Sequence, residues 1–140
     1  MKFVMIISAL SLLSCIGILH VYWAFGGRWG SAASIPSRAG SDKPVFVPGK
    51  VGTLIVAVLL FGVCSVLLIQ SGYVPYCKPM VWTRWGCMAC AIVFFLRAIG
   101  DFNYVGFFKK ITHSNFARND TWLYSPLCFF FGLAYGIVCF

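Results

Sequence analysis

Four apolar runs divide the chain, at residues 3–25, 51–71, 81–102 and 122–140. Each is close to the roughly 20 residues a helix needs to cross a hydrocarbon core. Most of the proline, lysine and arginine falls in the segments between them. The pattern predicts an all-α, integral membrane four-helix bundle, a single domain over residues 1–140. The first run carries no formal charge between Lys2 and Arg28. A cleaved signal peptide has a similar charged start, and LLSC ending at Cys15 loosely resembles a lipoprotein cleavage site. The run stays apolar for more than a turn beyond Cys15, which favours a retained span.

The connecting segments set the topology. Residues 26–50, GGRWGSAASIPSRAGSDKPVFVPGK, are rich in glycine, serine and proline and should be irregular. They exceed the roughly 12–15 residues beyond which structureless loops become uncommon. Gly49-Lys50 does not belong to a phosphate loop: Pro44 stands where its first glycine belongs, and Val51 replaces the Ser or Thr. Residues 72–80 form a short connection, which makes its neighbouring helices antiparallel. The third loop, 103–121, contains Phe107-Phe108 followed by Lys109-Lys110, an interfacial anchor. At the fourth span, Pro126 suits a first helical turn with Ser125 as cap; alternatively Asp120 caps a helix that Pro126 then kinks.

Composition agrees with the pattern. Hydrophobic residues make up 61% of the chain and charged residues only 10%, against about 45–50% and 25% in soluble domains. The net charge of +8 would suit nucleic acid, but these cations border apolar runs, so the expected partner is the lipid bilayer and no nucleic acid. The seven cysteines are odd in number, scattered and mostly inside apolar runs, which argues against a disulfide framework. Cys87-Met88-Ala89-Cys90 has redox spacing, but its apolar setting favours plain packing. Neither a metal nor a cofactor is expected.

The polar residues at membrane depth are the candidates for function. Arg97, Asp101 and Tyr104 fall at i, i+4 and i+7, on one face if the third helix continues. Asp101 near a helix C-terminus gains nothing from its own helix dipole, so Arg97, another helix or a ligand must compensate it. His20 lies roughly 9 Å below the exit of span one if that helix ends near Gly26. Trp23 stands beside it, and Tyr124 at the entry of span four. In an up-and-down bundle these six residues share one end. Loops 26–50 and 103–121 carry seven lysines and arginines and the opposite side three, Arg97 excluded. That bias places these loops in the cytoplasm and both termini outside.

The pieces HVYWAFGGRWG (20–30), FVPGK (46–50), FLRAIGDFNYVGFFK (95–109), FARND (116–120) and YSPLC (124–128) resemble a family of small bacterial four-helix membrane proteins of unknown function. The resemblance implies the four-helix architecture and a multi-pass protein of the bacterial cytoplasmic membrane. It implies no activity. Three functions therefore compete on residue chemistry alone. One is binding of a small amphipathic or lipid-like ligand by His20, Trp23, Arg97, Asp101, Tyr104 and Tyr124. The second is a structural or accessory subunit of a membrane complex. The third is an enzyme on a lipid-like substrate with His20 as acid–base. Oligomeric state is not encoded in these features.

The charge bias makes one testable prediction. Single cysteines at Ser41 and Ser114, in a background without native cysteines, should resist a membrane-impermeant maleimide on intact cells and react after permeabilisation. Labelling of both in intact cells would reverse the orientation.

Overall fold

The computed structural model describes residues 1–35, 47–100, 105–110 and 115–139. These are helical: α1 (Lys2–Ala24), the short α2 (Ser31–Ser34), α3 (Lys50–Gln70), α4 (Val81–Ile99), α5 (Asn115–Asn119), a π-helical turn (Asp120–Tyr124) and α6 (Ser125–Cys139). The last three run on as one long helix. Among the described residues, four helices are long and apolar enough to cross a membrane: Lys2–Ala24, Lys50–Gln70, Val81–Ile99 and Phe116–Cys139. The chain is an integral membrane four-helix bundle. Many large side chains face outward, among them Ile55, Val58, Leu59, Ile92, Val93 and Leu96, as lipid rather than water would allow.

The bundle is built from two closely packed helix pairs, α1 with α3 and α4 with α6. Contacts of α3 with α4 and of α1 with α6 join the pairs. With no hydrophobic force between helices in lipid, close approach depends on small residues at the seams. Ala9, Ala57, Ala91, Ala98 and Ala134 are accordingly buried. Gly132 lies directly under the Phe95 ring, where a Cβ would come within 2.8 Å of it. The central cluster joins Ile6, Ala9 and Leu13 of α1 to Leu67 of α3, Cys87 and Ala91 of α4, and Phe131, Ala134 and Tyr135 of α6. The buried phenol of Tyr135 donates to the Val63 carbonyl at 2.6 Å, tying α6 to α3. Its ring packs against Phe94, 5.6 Å away between centroids.

α4 stops at Ile99, earlier than the apolar run suggests, because Gly100 takes φ +96°, a conformation that costs glycine nothing and other residues a great deal. The chain returns at Gly106, also at positive φ (+92°). The two glycine backbones touch: a Cβ on Gly106 would meet the Ile99 carbonyl at 2.2 Å and Gly100 Cα at 2.3 Å. This closure lets Phe107 N–H donate to the Ala98 carbonyl at 2.9 Å, capping carbonyls that a helix end leaves without partners.

The last helix departs from both expected starts. Asp120 and Ser125 lie inside the helix and cap nothing. Pro126 lacks an N–H, and in a regular helix its ring would press on the carbonyl four residues back, that of Trp122. The π turn before it widens the helix, and Ser125 N–H donates five residues back, to the Asp120 carbonyl. Such turns are rare and often found at functional positions.

Glycine geometry separates two alanine substitutions. Gly106→Ala should destabilise the protein by more than about 2 kcal/mol, through strain at positive φ and a backbone clash. Gly136→Ala, where a Cβ meets nothing within 4 Å, should be neutral or slightly stabilising. Thermal unfolding in detergent would compare them; equal melting points would contradict the closure described here.

Candidate functional site

Asp120 is fully buried, yet it carries a charge in a helix that crosses the membrane. Burial of a carboxylate is tolerable only with cations and hydrogen bonds around it. The structure supplies both. Oδ1 accepts from Arg97 Nη2 at 2.9 Å. Oδ2 accepts from Lys109 Nζ at 3.0 Å, from the Gly106 backbone N–H at 2.7 Å and from Ser125 Oγ at 3.2 Å. Four donors from α4, the returning loop and α6 thus converge on one side chain. Ser125 reaches it because of the π turn. On a 3.6-residue helix, positions five apart point about 140° away from each other; the widened turn brings them together.

Lys109 is equally satisfied. Its side chain is 2% exposed. Its three N–H groups find Asp120 Oδ2, the Gly106 carbonyl at 3.0 Å and Thr121 Oγ1 at 2.6 Å. Thr121 accepts this bond while donating to the Ala117 carbonyl at 3.1 Å. Gly106 therefore does two tasks. Its N–H reaches the carboxylate and its carbonyl holds the ammonium, an approach that a side chain at this position would obstruct.

Arg97 is different. It sits in the last turn of α4 with its side chain 33% exposed. Nη2 is engaged with Asp120, but Nη1 is buried and has no hydrogen-bond partner among the described residues. Two cations against one carboxylate leave one positive charge in excess within the described cluster.

The other sequence candidates fall into separate groups. His20 Nδ1 donates to the Ile16 carbonyl at 2.8 Å, since a carbonyl only accepts. The His20 ring meets Trp23 edge-on at 5.0 Å. Trp23 Nε1 donates to the Trp29 carbonyl at 2.7 Å, closing the turn after α1. Among the described residues, no hydrogen bond, ion pair or ring contact joins His20 to Arg97. Tyr124 belongs to the same π turn as Asp120. Its hydroxyl is 3.2 Å from Ser34 Oγ of α2, and its ring packs near Phe116, 6.0 Å between centroids. Asp101 and Tyr104 lie outside the described residues, beyond the point where α4 ends. The described acid paired with Arg97 is thus Asp120. Asp120 and Lys109 are the site residues that the sequence reading missed. By sequence position the first reads as a helix cap and the second as an interfacial anchor.

The cluster's energetics can be tested directly. Asp120→Asn should destabilise the protein by about 3–5 kcal/mol, because two cations lose their buried partner. Adding Lys109→Met should recover part of that loss. Strict additivity of the two changes in thermal unfolding would show that the residues do not interact.

No curated protein and no solved structure matches the chain. The family model described as "Protein of unknown function (DUF3995)" matches residues 13–135, a stretch that includes α3, α4, the returning loop and the Asp120 cluster, and the chain belongs to that family.

Proposed function

We propose that the protein binds the anionic head of a small amphipathic or lipid-like molecule, at the cytoplasmic end of the bundle where loops 26–50 and 103–121 lie. The observation that carries this reading is the buried Arg97 Nη1, without a partner among the described residues. A buried donor left unsatisfied costs about 1–3 kcal/mol. The excess positive charge among the described residues of the cluster adds to that cost. An anionic acceptor answers both, and arginine suits phosphate or carboxylate because its amino groups form a planar fork. Trp23 and Tyr124, with hydrogen-bonded polar atoms and aromatic faces, supply apolar surface for the rest of such a molecule. Asp101 and Tyr104, in the segment after Gly100, complete the proposed residue set. The hydrogen bond and ring contact of His20 stay on its own helix, so binding rather than acid–base turnover is the function favoured.

A second reading rests on the saturation of Asp120 and Lys109. A cluster with every such group satisfied also suits a structural or accessory subunit, in which it only braces helix ends.

Mass spectrometry of gently purified protein distinguishes the two. An anionic amphiphile should co-purify with the wild type. Arg97→Lys keeps a cation for Asp120 but loses the fork, and it should reduce occupancy about tenfold, equivalent to about 1.4 kcal/mol. Unchanged occupancy in Arg97→Lys, or no bound molecule in the wild type, would overturn the binding reading.

A further inference from the structure

The sequence pairs Cys87 with Cys90, but the fold offers Cys87 a different neighbour. Cys87 lies in the second turn of α4 and Cys139 in the last described turn of α6, and both belong to the buried core. Cys139 Sγ reaches the Arg84 carbonyl at 3.7 Å. Arg84 precedes Cys87 by one helical turn, and helical side chains lean toward the N-terminus over that turn. Cys139 Sγ therefore lies over the same turn of α4 that the Cys87 side chain covers, and both thiols face the α4–α6 seam. Cys87 also approaches the Val66 carbonyl of α3 at 3.8 Å. By contrast, Cys87 and Cys90 are successive turns of one rigid helix, with side chains directed along the same face.

The pair sits at the bundle end opposite the Asp120 cluster. Around it, Trp82, Arg84 and Trp85 are exposed, the residue types that mark a membrane–water boundary. Cys139, 7% exposed, therefore lies close to that boundary, and Cys87, 0% exposed, lies deeper.

We propose that Cys87 and Cys139 form a redox pair that closes to a disulfide across α4 and α6. The oxidant is a disulfide-bearing carrier, small thiol or protein. The Cys139 thiolate attacks one carrier sulfur, the carrier S–S bond breaks, and the first carrier thiol leaves with the proton that Cys139 gave up. The Cys87 thiolate then attacks the Cys139 sulfur of this mixed disulfide. The second carrier thiol leaves with the Cys87 proton, and the protein disulfide remains. Two protein thiols are oxidised and one carrier disulfide is reduced to two thiols. The crosslink fixes the α4–α6 seam, whose far end carries Arg97 and Asp120, so oxidation locks together the two helices that hold the charge cluster.

Purified protein in detergent, incubated with oxidised glutathione and then denatured in acid, gives the test. Beyond the thiols lost to glutathione adducts, maleimide-polyethylene glycol should add to two fewer than in the reduced sample, and peptide mass spectrometry should find Cys87 linked to Cys139. Cys87→Ser should instead stop at a glutathione adduct on Cys139. Exposed Cys77, which should itself take up glutathione as a separate adduct, reports that the oxidant is active. A Cys87–Cys90 link, or full retention of Cys87 and Cys139 as free thiols while Cys77 is modified, would overturn the proposal.

Discussion

One buried carboxylate organises this end of the molecule. Asp120 alone would be intolerable in an apolar helix, so the chain must bring cations and donors to it from elsewhere. Arg97 comes from the end of α4, Lys109 and Gly106 from the loop that returns over it, and Ser125 from one turn further along the last helix. Each depends on a local backbone feature. Gly100 ends α4 in time for Arg97 to occupy its last turn. Gly106 lets the loop touch both the helix end and the carboxylate. The π turn before Pro126 places Ser125 on the Asp120 side. The cluster is thus where three backbone irregularities are stabilised by one charge.

The bundle itself was legible in the sequence because its signal is local and repeated. Four apolar runs with aromatic and basic borders can form little else in lipid. The site was less legible because its contacts are not local. Arg97 had an acid four positions away, and helical spacing made Asp101 the natural partner, but the described pairing spans 23 positions. Helical spacing also assumed that α4 continues through Tyr104, whereas Gly100 ends it. Asp120 precedes an apolar run, as a helix cap would, and Lys109 follows two phenylalanines, as an interfacial anchor would. The signal that pointed to them was scarcity: a chain with three acidic residues that places one beside a membrane helix must compensate it. Two nearby glycines, at 100 and 106, and the Thr121 and Ser125 hydroxyls flanking Asp120 completed that signal.

Saturation and its exception divide structure from function in this cluster. Lys109 has an acceptor for every hydrogen of its ammonium group, and Asp120 accepts four bonds, so neither has capacity to spare for chemistry. Arg97 does. Its second amino group, buried without a partner among the described residues, turns a brace between helices into a candidate anion site. His20 and Trp23 are held by their own helix and turn, and Tyr124 by α2, so the aromatic part of the proposed site leans on the first loop, while Arg97, at the end of α4, is held by Asp120 of the last helix.

The central claim is that the Asp120 carboxylate, and not solvent, holds the returning loop. The Gly106 amide reports this directly, since its N–H donates to Oδ2 inside the cluster. Hydrogen exchange followed by nuclear magnetic resonance in micelles should find this amide protected to the level of the α4 interior, although it lies in a loop. Exchange at the rate of an open loop in the wild-type protein would contradict the account.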